Sequence, residues 1–337
     1  MFRRLLAAVV LVVVAAVLLV LAWPQLFGLQ QAVGVAHVVS FRAVAAVVAV
    51  GLMVIFTLIG LLFHTPRRLL AGLAVLLLVF ALINTAVLSV RGFGNASAET
   101  QTESGVTVLS WNTLGDVPSA DTIATIALDE GADIVTLPET TEAMALEVSI
   151  LMKAEGRPMW VHTVAFDQVS KARSTSVLTS AELGEYSQDT EIGNTATLPT
   201  VVLRPDDGSG PTIISVHSVA PVPGEFDNWR ADLDWLAAAC SGDNVIMAGD
   251  FNSTLDHMTG LGTTAETTLG DCADTALATG NAAVGTWPTT IPALLGSPID
   301  HIMATENWRV IGMRVLQDRD TAGSDHRPIV AQLQPAD

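Results

Sequence analysis

The chain has 337 residues, 50% of them hydrophobic and 15% charged, with a formal net charge of −18. The charge is segregated: residues 1–91 hold six Arg and no Asp or Glu, so all 34 acidic residues and the other ten basic ones lie beyond them, a net of −24 for that part. This excludes a uniformly water-exposed globular chain, and it excludes an acidic part that meets nucleic acid through a broad basic surface.

Residues 5–23 form an uncharged run of 19, residues 43–63 one of 21, and residues 69–90 one of 22 in which Asn84 is the strongly polar side chain. Each reaches the roughly 20 apolar residues needed to cross a bilayer core. No small-residue cleavage pattern follows the first run directly, and two more runs come after it. Three retained transmembrane helices are therefore expected, not a cleaved signal. Arg3 and Arg4 precede the first span, and Arg67 and Arg68 lie between the second and third. Such clusters mark cytoplasmic ends. Arg42 and Arg91 count weakly the other way. The balance predicts a multi-pass membrane protein with a cytoplasmic N-terminus and an extracytoplasmic C-terminal part. The spans carry no internal ionisable group and read as an anchor.

Residues 92–105 are small and polar and read as a flexible tether. A folded domain is expected over residues 106–337, long enough for one large core. Short apolar runs predict strands at 106–111, 133–137, 160–165, 176–179, 201–203, 212–217, 245–248, 299–304, 310–316 and 329–333. Helical patterns cover 120–130, 141–154 and 225–239. Asp206-Asp207-Gly208-Ser209-Gly210 predicts a hairpin turn. Hairpins interspersed with helices argue for a layered α+β domain rather than regular βα alternation. Cys240 and Cys272 both lie in this part. Outside the cytoplasm they could pair; two buried thiols are the alternative.

Several predicted strands run into an isolated polar residue with catalytic chemistry. The first ends at Asn112, the second at Glu139 and the 212–217 strand at His217. The 245–248 strand runs through Gly249 into Asp250, with Asn252 two residues on. Ser297-Pro298-Ile299 leads into Asp300, and Gly323-Ser324 into Asp325 and His326. One such residue is ordinarily a turn former. Six strand ends together point to one site at one edge of a sheet structure. Carboxylates with amide oxygens suit a hard divalent cation, Mg²⁺ or Mn²⁺. No zinc motif, nucleophile elbow, P-loop or dinucleotide fingerprint is present.

Trp111-Asn112, Leu137-Pro138-Glu139, Val216-His217-Ser218, Gly249-Asp250-Phe251-Asn252, Ile299-Asp300-His301-Ile302 and Ser324-Asp325-His326-Arg327-Pro328 occur in that order. The set resembles the endonuclease/exonuclease/phosphatase, or DNase I-like, superfamily over about residues 106–335. The resemblance implies an α/β four-layer sandwich, two packed sheets with helices outside, and a metal-dependent phosphoesterase. It implies that Glu139, assisted by Asn112 and Asp325, holds the metal. Asp250 would orient or deprotonate the attacking water, and Asn252 would bind a phosphate oxygen. His326 would contact the scissile phosphate, oriented by Asp300, and His217 would assist the phosphate or protonate the leaving group. Hydrolysis of a phosphoester needs just this, a positioned nucleophile and neutralised oxygens. His301 follows Asp300 on a strand and should face the other way. The sequence departs from the family pattern at Pro138, where many members have Gln. It departs again at Leu114, where some have a second carboxylate; whether Asp116 substitutes for it is left open by the sequence. Its one tyrosine, Tyr186, is not at the His217 position, which argues against abasic-site repair.

Substrate contacts are expected from Arg173, Arg327 and Trp287. The substrate is a phosphate ester, whether small molecule, lipid or nucleic acid. The strong acidity favours a small or lipid substrate over a long polyanion. A surface nuclease and a catalytically inactive tethered binding module are the competing readings. The N-terminal helices imply a membrane partner, and no obligate protein partner is inferred.

Overall fold

The computed structural model describes residues 2–94, 104–167 and 169–336, and it divides into two compact units, Met1–Arg91 and Gly92–Asp337. Most of the expected 92–105 tether lies outside the described residues.

The first unit is helical: α1 (Phe2–Ala22), α2 (Val35–Ser40), α3 (Arg42–Leu62) and α4 (Arg67–Arg91). Helices α1, α3 and α4 are long and apolar enough to cross a membrane, with mean hydropathies of 3.4, 2.8 and 2.6. Their packed seam is built from Leu77, Phe80 and Ala81 of α4 against Ala46 and Ala49 of α3 and Ala22 of α1. The short helix α2 was not expected. Arg42 also differs from expectation. It was counted as an outer-end charge, yet it is buried, donating to Asn84 Oδ1 at 2.7 Å and to the Ala22 carbonyl at 3.1 Å. A guanidinium shielded from water must find acceptors, and here they come from the other two long helices.

The second unit contains β1 (Val106–Ser110), α5 (Ala120–Asp129), β2 (Ile134–Pro138), α6 (Glu142–Ala154), β3 (Met159–Ala165), β4 (Ser174–Ser180), β5 (Tyr186–Gln188), β6 (Val201–Pro205) and β7 (Thr212–His217). It continues with α7 (Phe226–Ala239), β8 (Val245–Asp250), α8 (Leu255–Met258), β9 (Ala273–Asp274), α9 (Thr275–Ala278), β10 (Asp300–Ala304), β11 (Trp308–Val315) and β12 (Ile329–Pro335). The strands form two six-stranded mixed sheets, ordered β11-β12-β1-β2-β4-β3 and β5-β6-β7-β8-β10-β9. Among the strands of the described residues, β1–β2 and β7–β8 pair in parallel and the other neighbours antiparallel.

Three apolar layers follow from the sequence pattern. Val106, Val108, Ile134, Ile213, Ile246, Ile302 and Ile329 fill the space between the sheets. Leu109, Val135, Leu137 and Leu178 face outward onto Ile123, Ile126, Val148 and Met152 of α5 and α6. Val216, Val245, Met247 and Met303 face outward onto Leu236 and Ala239 of α7. Central strands buried on both faces explain why they read as unbroken apolar runs. The result is the expected helix–sheet–sheet–helix sandwich.

Local signals set the helix ends. Ser119 Oγ accepts from Thr122 N–H to cap α5, and Thr141 does the same for Met144 and α6. Gly131, at φ 63, terminates α5 through Ala132 N–H to the Ala127 carbonyl. Strand β5, the two-residue β9 and the one-turn helices α8 and α9 were not anticipated. Cys240, at the end of α7, is joined to Cys272, with Cα atoms 6.0 Å apart. That resolves the cysteine pair as a disulfide.

Candidate active site

Strand polarity gathers the polar residues. Parallel β1 and β2 deliver Asn112 and Glu139 to the same edge, and parallel β7 and β8 pair His217 with Asp250. Strand β10 runs antiparallel to β8 with Asp300 opposite Asp250. Strand β12 runs antiparallel to β1, with Ile329 opposite Ser110, so His326 just before it arrives beside Asn112.

Asp250 sits at the centre and is almost fully buried. Its Oδ1 accepts from Asn252 N–H at 2.8 Å; its Oδ2 accepts from the amides of Asn112 at 3.0 Å and Asn252 at 3.1 Å. The Nε2 of His326 lies 3.8 Å from Asp250 Oδ2, and its Nδ1 lies 2.9 Å from Asp300 Oδ2. Glu139 Oε1 accepts from Asn112 Nδ2 at 3.1 Å and lies 3.9 Å from His217 Nε2. Asp325 Oδ1 lies 4.0 Å from His326 Nε2, and Trp287 Nε1 donates to Asp325 Oδ2 at 2.8 Å. Eight predicted residues thus share one site: Asn112, Glu139, His217, Asp250, Asn252, Asp300, Asp325 and His326.

The electrostatics follow from burial and mutual charge. Burial pushes the carboxyls of Glu139 and Asp250 up, partly offset by the Asn112 amide and the His326 charge. Burial alone would lower His326, but the carboxylates of Asp300 and Asp250 overcome it and raise it to about 10. His217 goes the other way, down to about 3, through burial and the nearby His326 charge. One histidine is held protonated and its neighbour neutral.

Two atoms aimed at this site are buried without a hydrogen-bond partner, Asp325 Oδ1 and His217 Nε2. Buried polar atoms are ordinarily satisfied, so these two are open positions for a ligand. Asp250, Asp300 and His326 also present ligand atoms all within 4.8 Å of one another, a possible metal site.

Several expectations need correction. Asn112 Oδ1 is taken by Leu114 N–H at 2.9 Å, so Asn112 turns its NH₂ to Glu139 and Asp250 and orients carboxylates rather than offering an amide oxygen to a metal. Asp116, left open by the sequence, is engaged by the Thr141 N–H and hydroxyl and by Lys171. Arg327, expected at the substrate, is fully buried. Its guanidinium donates to the carbonyls of Gly285, Pro288, Thr289 and Ile291 and to Asp320. Arg173 is half-buried, and no bond joins it to the eight site residues among the described contacts. Trp287 is half-buried and holds Asp325 through its indole N–H.

Supporting residues were missed. Thr113 Oγ1 donates to the Glu139 carbonyl at 2.9 Å, and Ser324 Oγ bonds the Asn112 carbonyl and accepts from His326 N–H. Trp111 Nε1 donates to the His326 carbonyl at 2.8 Å. The Trp-Asn and Ser-Asp-His spacings were the available signals, since each supporting residue adjoins a site residue.

This fold and this constellation define a phosphoester hydrolase-like protein. The profile of the Endonuclease/Exonuclease/phosphatase family matches residues 109–326, and the chain belongs to that family. No curated protein matches the chain in sequence. Among solved structures, the chain is similar to the endonuclease/exonuclease/phosphatase from Beutenbergia cavernae DSM 12333 (17% identity, TM-score 0.52), covering 69% of this chain and 72% of that one. It is similar to humanized D. rerio TDP2 (16% identity, TM-score 0.52), covering 69% of this chain and all of that one. D. rerio TDP2 complexed with single strand DNA product matches over the same shares at 16% identity and a TM-score of 0.50.

Proposed function

We propose that the protein is a membrane-anchored, extracytoplasmic hydrolase of phosphate esters that uses a divalent cation, Mg²⁺ or Mn²⁺. The observation that carries this is the convergence of Asp250, with its three amide donors, and the Asp300-held His326 on one buried edge.

Asp250, held by Asn112 and Asn252, is placed to orient or take a proton from the attacking water. His326 would bind phosphate oxygens with positive charge, while Asn252, given the same role by the resemblance, spends both amide hydrogens on Asp250 and the Ser218 carbonyl and so serves to orient Asp250. His217, neutral with Nε2 unpartnered, is placed to contact the phosphate or serve the leaving group.

The donor set fits a hard cation. Glu139 and Asp325 offer carboxylate oxygens, and Asp325 Oδ1 is otherwise unsatisfied. These two are favoured over the trio of Asp250, Asp300 and His326, because Asp300 is engaged by His326 Nδ1 and Asp250 by three donors. When bound, the cation would neutralise charge on the phosphate oxygens.

A small or lipid phosphoester is the favoured substrate. The acidic part carries a net charge of −24, against the basic footprint that polynucleotide binding draws on. Loop side chains Leu114 and Val117, close in sequence to Asn112, are exposed and apolar. They suit an uncharged substituent better than a nucleic-acid backbone. The three apolar helices and the Cys240–Cys272 disulfide support the extracytoplasmic placement.

The test is the full chain in detergent, assayed with and without EDTA on bis-p-nitrophenyl phosphate, plasmid DNA, sphingomyelin and inositol phosphates. EDTA-sensitive turnover lost in Asp250→Ala is expected. Equal activity of wild type and Asp250→Ala on every substrate defeats the enzyme reading. Efficient plasmid cleavage at physiological salt reverses the substrate ranking. For topology, a C-terminal reporter that works only outside the cytoplasm should be active; one working in the cytoplasm overturns the orientation.

A further inference from the structure

We propose that Asp274 and His301 form a second Asp–His pair, behind the first, that positions the Asp250–Asn252 turn. On this view β10 sets both halves of the site. The inference rests on the hydrolase reading above.

Successive residues of a strand point to opposite faces. At the start of β10, Asp300 reaches into the site and holds His326 Nδ1. His301, the next residue, reaches the other way and is equally buried. Its Nδ1 lies 2.7 Å from Asp274 Oδ2, and its Nε2 lies 2.8 Å from the Ser253 carbonyl oxygen. Both partners are acceptors, so both ring nitrogens donate. The ring therefore joins a carboxylate on β9 to the residue that follows Asn252.

Each end of this link is fixed. Asp274 Oδ1 accepts Leu277 N–H at 2.6 Å, and β9 is paired with Met303 and Ala304 of β10. Two residues upstream, Cys272 is bonded to Cys240 at the end of α7. At the far end, Trp229 Nε1 donates to Ser253 Oγ at 2.8 Å and to the Asn252 carbonyl at 3.2 Å. The Phe251 ring stands edge-on to His301, with centroids 5.5 Å apart.

The segment held this way needs holding. Asn252 has φ 46, a left-handed conformation that a non-glycine residue keeps only where its surroundings enforce it. From that conformation its N–H reaches Asp250 Oδ1 and its amide reaches Asp250 Oδ2 and the Ser218 carbonyl. The held Ser253 carbonyl fixes the backbone one residue beyond Asn252, where the turn leaves the site. His301 is thus a positioning residue that acts through Asn252.

A pair that merely stabilises the domain predicts lower thermal stability and an unchanged turnover number. A pair that positions Asn252 predicts a lower kcat with KM little altered. The experiment uses the full chain in detergent and EDTA-sensitive hydrolysis of bis-p-nitrophenyl phosphate. His301→Phe keeps a ring and removes both donors; Asp274→Asn weakens one contact. We expect kcat to fall ten- to a hundredfold in His301→Phe and less in Asp274→Asn. In the double variant His301→Phe/Asn252→Ala, turnover should match Asn252→Ala alone within about twofold, because two residues on one path are not additive. Wild-type kcat in His301→Phe, or losses that multiply in the double variant, overturns the proposal. Should His301→Phe fail to fold, His301→Gln retains one donor; an intermediate kcat supports the proposal, and a wild-type kcat in the folded variant overturns it. Failure of the hydrolase reading looks different. There, EDTA or Asp250→Ala leaves turnover intact, and the proposal falls with it.

Discussion

Asp300→Asn is the sharpest probe of the site, because it changes one atom beside His326. Asp300 Oδ2 and Oδ1 lie 2.9 and 3.2 Å from His326 Nδ1. The backbone N–H of Asp300 donates to Thr286 Oγ1 at 3.1 Å, so the residue's position survives the change. A hydrogen bond to a charged group contributes about 1.5–3 kcal/mol. At about 1.4 kcal/mol per factor of ten, its loss predicts a kcat lower by about ten- to a hundredfold. The amide can also present its NH₂ to Nδ1 and invert the ring tautomer, which adds to the loss.

The pH dependence of that variant has a defined sign. Burial pulls the His326 pKa down, while Asp300 and Asp250 together bring it up to about 10. Removing the Asp300 charge lets burial gain, so the pKa falls. If the imidazolium is the active form, activity lost on the alkaline side is lost at lower pH in Asp300→Asn than in wild type. The assay is kcat and kcat/KM from about pH 6 to pH 10 at constant Mg²⁺, on bis-p-nitrophenyl phosphate. An alkaline limb that stays in place, with kcat near wild type, refutes the Asp300–His326 argument.

Four other outcomes follow from the same geometry. Arg327→Gln leaves Asp320 without its buried partner and frees the Gly285–Ile291 carbonyls, so stability should fall by about 3–5 kcal/mol in denaturant titration with KM unchanged in the folded protein; a raised KM at full stability restores a substrate role. Gly249→Ala places a Cβ 2.0 Å from the Val216 carbonyl oxygen, within the β7–β8 pairing, and should abolish folding or activity; a stable, active variant contradicts the register. Replacing Cys240 and Cys272, 32 residues apart, by Ser should cost about 3–4 kcal/mol by loop entropy, and equal thermal melts with and without reductant would contradict it. Arg42→Leu alone strands the Asn84 amide oxygen and should loosen the helical unit in detergent melts, whereas Arg42→Leu with Asn84→Leu should recover part of the loss.

Much of this site was legible because strand ends are punctuated. A buried apolar run must stop where a charged or amide side chain begins, so Asn112, Glu139, His217 and Asp250 mark their own positions. Their convergence is a property of pairing, which sequence order does not show. It took the parallel β1–β2 and β7–β8 ladders to put four chain-distant residues on one edge. Long-range partners were illegible for the same reason. Arg327, beside the Ser-Asp-His run, read as a substrate cation, but four carbonyls of residues 285–291 take its guanidinium. Asn112 read as an oxygen ligand until the Leu114 N–H, two residues away, claimed that oxygen. The elements missed, α2, β5, β9, α8 and α9, have between two and six residues. Such lengths leave no periodicity to detect.

The two sheets meet at a site that both hold in strained form. Glu139 after β2 and Asn252 after β8 each have positive φ, at 55 and 46. A non-glycine residue in that region costs about 1–3 kcal/mol. Each is braced on its backbone as well as through its side chain. Thr113 holds the Glu139 carbonyl, and Asp116 holds Thr141 two residues on. Trp229 holds the Asn252 carbonyl, and His301 holds that of Ser253. Bracing the backbone lets the Glu139 carboxylate turn to Asn112 and the Asn252 amide turn to Asp250. Three of these braces are hydroxyl, indole and imidazole groups on carbonyls, which do not compete for the cation, and the carboxylate brace, Asp116, is engaged by Thr141. Leu114 and Asp116, in the loop after β1, share this conformation, and Glu139 and Asn252 are the two that turn a strand-end side chain into the site.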